Sequence, residues 1–124
     1  MSKKKGLTHE QRLIKALEQL PNPIEDKRHG VLIRFENDWA RSNERRFEHI
    51  ALSRHGLTIN DITRIPRYIK TAVLRKDIER KETFNLFVKR NSYNEEYIKI
   101  SLTIKESNSH EAIVKTIYIV RNLK

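Results

Sequence analysis

Tyr97-Ile-Lys-Ile-Ser-Leu-Thr-Ile-Lys105 alternates with a period of two: Ile98, Ile100, Leu102 and Ile104 fall on one side, Tyr97, Lys99, Ser101, Thr103 and Lys105 on the other. Successive side chains of a strand point to opposite faces, so the four aliphatics define a buried face and the remainder a wet one. Residues 84–90 and 111–121 carry the same β-branched and aromatic bias, and the three segments read as successive antiparallel strands. In the last of them Ile113, Ile117 and Ile119 alternate with Val114, Thr116, Tyr118 and Val120. Both of its faces are largely apolar, which predicts a place inside the sheet. The face away from the core then gathers Lys89, Lys99, Ser101, Thr103, Thr116 and Tyr118, a cationic and hydroxyl-bearing platform.

Upstream the period changes to that of helices. Thr8 and Gln11 have the spacing of a capping box, and Leu13, Ile14, Leu17 and Leu20 recur on one helical stripe until Pro21-Asn-Pro23 stops it. The apolar run 31–35 predicts a short strand. Ser42 is read as the cap of a second helix running to His55 and ending at Gly56, where a left-handed residue is favoured. Thr58 and Asp61 form another capping box for a third helix, in which Pro66 should impose a kink or restart. Loops are expected at 80–82, 91–96 and 106–110. Helices followed by a meander give an α+β fold, with N-terminal helices packed on one face of a four-stranded antiparallel sheet. Residues 1–41 form a basic tail, a helix and a strand, as an accessory arm or as part of the core; residues 42–124 form the helix-plus-sheet unit.

The 124 residues suit one domain that buries about two-thirds of the surface its unfolded chain exposes. Twenty-six lysines and arginines against sixteen acids leave a formal charge of +10, a long-range attraction for polyanions. Nucleic acid, RNA above all, is the leading partner. No segment reaches the ~20 apolar residues of a spanning helix, and Lys3–Lys5 precede no apolar signal region, so a cytoplasmic protein without a membrane partner is expected. The absence of cysteine removes disulfides and thiolate chemistry, and His9, His29, His49, His55 and His110 are too scattered for a metal-ligand spacing. Neither metal nor cofactor is expected.

Three constellations carry chemistry. In residues 45–56, Phe47, Ile50 and Ala51 mark a buried stripe, while His49, about 200° from Phe47, points outward alongside Arg45 and Ser53, and Arg46 is a candidate phosphate contact. Histidine is the side chain whose ordinary charge change lies near neutral pH, which suits it to proton transfer at a phosphodiester. A plain surface role for His49, and a helix-end role for His55, compete with that reading. Residues 64–81 hold seven cations against two acids; Arg64, Arg67, Lys70, Arg75 and Lys76 are candidate phosphate contacts and Tyr68 a stacking ring, set against the alternative of a solvated face. On the sheet, Lys89, Lys99, Ser101, Thr116 and Tyr118 can hold phosphate oxygens and offset developing charge, although strand propensity alone also favours threonine and tyrosine. Trp39 is read as a core or edge anchor.

The string Phe47-Glu-His-Ile50, Arg54-His-Gly56, Asp61-Ile62, Ile65-Pro66 and the closing Ala112-Ile-Val-Lys-Thr-Ile-Tyr-Ile119 resembles phage-associated nuclease domains of the barnase, EndoU, colicin and RelE (BECR) superfamily. The likeness covers about residues 42–124. It implies a metal-independent, RNA-cleaving nuclease, a toxin or phage effector with a cognate inhibitor protein, acting by attack of the RNA's own 2′-hydroxyl. Carried over by position, it implies His49 or His55 as acid or base, Lys99 as the transition-state cation and Thr116 as a phosphate-holding hydroxyl. A barnase-like carboxylate base is missing, with Glu48 and Glu111 as weak substitutes. The alternatives are a non-catalytic nucleic-acid-binding module and a phage-encoded inhibitor of a host protein.

Overall fold

Thr8 and Gln11 close the capping box that their spacing predicts: the Thr8 hydroxyl accepts from the Gln11 N–H at 3.1 Å and the Gln11 side chain from the Thr8 N–H at 2.9 Å. They open α1 (His9–Glu18) in a computed structural model that describes residues 8–52, 56–80, 82–90, 96–105 and 108–121. The stripe of α1 buries Leu13, Ala16 and Leu17. Two short strands follow, β1 (Ile24–Asp26) and β2 (Val31–Arg34), paired antiparallel around a turn in which Gly30 has φ +68°. Buried Asp26 fixes that turn by accepting from the His29 backbone, and its second oxygen lies 2.7 Å from His29 Nδ1.

The next segment departs from expectation. Residues 42–45 are not helical: β3 (Trp39–Arg41) and β4 (Glu44–Arg45) form a small hairpin turning through Ser42 and Asn43, and α2 (Arg46–Leu52) begins only after it. The reason lies in where the first helical N–H groups go. Asn37 Oδ1 accepts from Phe47 N at 2.9 Å, the Asp38 carbonyl from Arg46 N at 2.6 Å, and Glu48 Oε1 from Arg45 N at 2.9 Å. Capping comes from upstream side chains and from Glu48, so Ser42 is free to turn. Residues 53–55, with His55, lie outside the described residues; Gly56 has the left-handed φ, +74°, that its position predicts.

α3 (Ile59–Tyr68) carries the expected Thr58–Asp61 capping box and runs straight through Pro66 into a 3₁₀ turn at Ile69–Thr71. Proline removes one i→i−4 donor, but Ile62, Ile65 and Ile69 are all buried on one side of this segment, and that packing holds the helix together.

The sheet has six strands, not four. β5 (Val73–Lys76), β6 (Thr83–Lys89), β7 (Tyr97–Lys105) and β8 (Asn108–Val120) form the antiparallel meander, and β2 adds parallel to β8, giving the order β1-β2-β8-β7-β6-β5. β8 is internal, as its two apolar faces require. It starts at Asn108, inside the span expected to be loop.

Its alternation also breaks. Ser101 pairs with Thr116 but Leu102 with Val114, so Lys115 is an extra residue and the strand changes phase across it. Val114 is therefore buried with Ile117, and Ile113 joins the other face, opposite Thr103. The core cluster combines Ile98, Ile100, Leu102, Val114 and Ile117 of the sheet with Leu13 and Leu17 of α1, Phe47 and Ile50 of α2, Ile62 and Ile65 of α3, and Ile33 and Phe35. Residues before and after position 41 thus share one interior.

Candidate nucleic-acid interface

Register fixes which side chains lie side by side on the sheet's other face. Lys99 stands between Phe87 and Tyr118, Ser101 between Asn85 and Thr116, Tyr97 between Lys89 and Val120, and Thr103 between Thr83 and Ile113. Arg75 extends the second of these rows from β5. The alternation of β7 therefore delivers the platform its sequence predicts: Lys99, Thr103, Thr116, Tyr97 and Tyr118 are half-buried, and Lys89 and Arg75 exposed. The Lys99 ammonium sits 5.6 Å from the centroid of the Tyr118 ring, within cation–π range.

The same face also holds buried side chains. Phe87 is only 1% exposed although it lies outside the main cluster, and the Tyr97 ring meets it edge-on at 6.4 Å between centroids. Buried Ser101 donates to Asn85 Oδ1 at 3.0 Å, and Asn85 Nδ2 donates to Asp77 Oδ1 at 2.9 Å. The second Asp77 oxygen accepts from the Glu79 and Arg80 backbones. These bonds, the Asn85 amide first, hold the Asp77 carboxyl below the ordinary 3.8, with a smaller pull from Lys99. The Ser101 hydroxyl, expected to meet nucleic acid, is committed to Asn85 instead.

His49 belongs to a different region. It projects from α2, whose buried Phe47, Ile50 and Ala51 join the core from the side opposite to Lys99 and Thr116. The structure therefore brings Lys99 and Thr116 onto adjoining rows and does not bring His49 to them. The Nδ1 of His49 lies 3.1 Å from Glu44 Oε1, and Arg41 Nε lies 3.9 Å from the same oxygen. Arg41, Glu44, His49 and Leu52 line an open pocket of about 220 Å³. On the same hairpin Trp39 is 59% exposed and carries the Arg45 guanidinium 4.5 Å from its ring centroid. It is neither a core nor an edge anchor.

The remaining cations divide. Arg46, expected on a phosphate, is 11% exposed: Nε and Nη2 grip Asp38 at 3.0 and 3.4 Å, and Nη1 donates to the Lys115 carbonyl at the β8 bulge. It staples the hairpin, α2 and β8 together. This pairing, chiefly the Arg46 hydrogen bond, holds the Asp38 carboxyl below 3.8. Arg64 donates to the Arg90 carbonyl and lies 5.9 Å over the Tyr68 ring, away from the platform, with exposed Arg67 and Lys70 on the same segment. Lys76 is exposed at the sheet edge, in the row of Phe84 and Leu102.

With Ser42 read as a cap, the sequence does not single out Arg41 or Glu44 and gives Trp39 only as an anchor. The signal was present: Ser-Asn is turn-forming, and it separates two short stretches rich in charge. Among the described residues, no group of three or more His, Asp or Glu side chains is placed to hold a metal ion, and no helix is long and apolar enough to cross a membrane. No family model, curated protein or solved structure matches the chain.

Proposed function

We propose that this chain is a nucleic-acid-binding domain, with RNA as its ligand, that takes the sugar–phosphate backbone across the outer rows of β6, β7 and β8. One observation carries the reading: register sets Lys99 and Tyr118 side by side, flanked by Lys89, Tyr97, Thr103 and Thr116, on a face with no buried aliphatic stripe of its own. Cations for phosphates and rings for bases are the two components of sequence-tolerant strand binding. The formal +10 supplies the approach. In this reading β5–β8 are the four-stranded unit, the helices cover its other side, and the protein works in the cytoplasm.

Fluorescence anisotropy with labelled RNA tests it. Lys99→Ala with Tyr118→Ala weakens binding by about tenfold or more, and Lys99→Ala alone flattens the log affinity against log salt slope by about 0.7. Unchanged affinity and slope in folded variants overturn the proposal.

A second reading, RNA cleavage of the kind the BECR resemblance implies, is favoured by the Glu44–His49 contact. A carboxylate on Nδ1 orients the ring and leaves Nε2 as the proton-transfer atom. There it would take the 2′-hydroxyl proton while the 2′-oxygen bonds to phosphorus, the bond to the 5′-oxygen breaks, and that oxygen takes a proton from water. Arg41, beside the same Glu44 oxygen, can offset charge on the phosphate. Such a nuclease would need a cognate protein inhibitor in its host. Labelled RNA incubated in EDTA decides: cleavage by the native chain that is lost in His49→Ala supports it, and intact RNA rejects it.

A further inference from the structure

The β3–β4 hairpin stands apart from the sheet platform, yet it collects a ring, two cations and a pocket on residues 39–45 and the helix that follows. Trp39 is the chain's single tryptophan, and it leaves 59% of its surface in water with a guanidinium on the ring, a cation-and-ring pair of the kind that holds a base. Arg45 lies along one side of the ring, which fixes the indole and leaves its exposed surface as a flat platform. Arg41 is 70% exposed and reaches Glu44 only at 3.9 Å, a loose contact that a phosphate oxygen can replace. Arg41 also lines the pocket that it shares with Glu44, His49 and Leu52.

We infer that this hairpin is a second nucleic-acid site, which takes one unpaired nucleobase on Trp39 and its phosphate on Arg41. The inference rests on the nucleic-acid reading above and adds the form of the ligand. Stacking on an isolated ring requires a base free of its partner, so the strand must be single at this point. The cations favour a nucleotide over an uncharged aromatic ligand: Arg45 lies against the ring and exposed Arg41 stands two residues along β3, whereas Glu44 is already shared between Arg41 and His49.

A lone tryptophan makes the test direct. A dinucleotide, a single-stranded oligonucleotide, the same oligonucleotide annealed to its complement, and polyphosphate are each titrated against the emission of Trp39. The expected result is saturable quenching by the dinucleotide and the single strand, at least tenfold weaker for the duplex, and absent for polyphosphate. Trp39→Leu should weaken single-strand affinity by about tenfold in anisotropy, and Arg41→Ala should weaken dinucleotide quenching several-fold. Equal quenching by polyphosphate, or full single-strand affinity in a folded Trp39→Leu chain, overturns the inference. If the sheet variants leave RNA affinity intact while dinucleotide quenching persists, the platform proposal fails and the hairpin site stands; the reverse pattern removes the hairpin site alone.

Discussion

The outer rows of the sheet and the β3–β4 hairpin present the same pairing, a cation against an aromatic ring, on foundations that differ. Lys99 and Tyr118 share their face with Phe87 and Asn85, which are buried, and Asn85 is bonded to Ser101, so this surface cannot be altered there without a cost in folding. Trp39 and Arg45 stand on a turn tied to the fold through Asn37, Asp38 and Arg46; Arg45 Nη1 donates to the Asn37 carbonyl at 2.9 Å, while the indole stays 59% exposed. Binding surface and stability are coupled in the first region and nearly separate in the second.

The largest expected effect tests that difference with one aromatic from each region. Phe87→Ala removes a ring that is 1% exposed and should cost about 3–5 kcal/mol in urea unfolding followed by circular dichroism, whereas Trp39→Phe should stay within about 0.5 kcal/mol. A loss below about 1 kcal/mol for Phe87→Ala would mean that the sheet face is not tied to stability. The two regions would then be alike.

A smaller effect probes the hairpin's own anchor. Asn37 accepts the Phe47 N–H ten residues away in sequence, the task usually given to the residue adjoining a helix. Asn37→Ala should destabilise the chain by about 1 kcal/mol, while Ser42→Ala, which removes the cap that sequence spacing favours, should leave stability within about 0.5 kcal/mol. Equal losses in the two variants would restore Ser42 to the capping role.

That contrast also explains what could be read in advance. Both capping boxes and the β7 alternation were legible because each is a local pattern whose partners lie within a few residues. The parallel union of β2 with β8 was not, since it joins residues about eighty positions apart and leaves no mark on either strand's composition. The β8 bulge at Lys115 was hidden for a related reason: Ile113 and Val114 are equally apolar, so hydrophobicity alone cannot show which faces the core. At the site, Lys99, Thr116 and Tyr118 fell where alternation put them. His49 stands apart from them, and its contact with Glu44 is not legible because Glu44 belongs to a hairpin that the helix pattern overruns.

The smallest expected effect again takes one group from each region. Asp38 at the hairpin and Asp77 at the sheet both have carboxyls held below 3.8, for different causes: the charged Arg46 side chain at Asp38, the neutral Asn85 amide and backbone N–H groups at Asp77. A carboxyl whose folded value is depressed contributes stability that is fully present above its unfolded value and is lost as pH falls through the folded one. The thermal midpoint should therefore drop as pH is lowered from about 5 toward 3, and less steeply in Asp38→Asn. Salt separates the two. Screening weakens an exposed ion pair but barely touches a hydrogen bond to an amide, so raising ionic strength from about 0.05 to 0.5 M should move the Asp38 titration, followed by carboxyl carbon shifts, back toward 3.8 while that of Asp77 moves less. If both carboxyls respond equally, the hold on Asp77 is electrostatic. Lys99 would then be its source, and part of that lysine's charge would be spent inside the protein before any phosphate arrives.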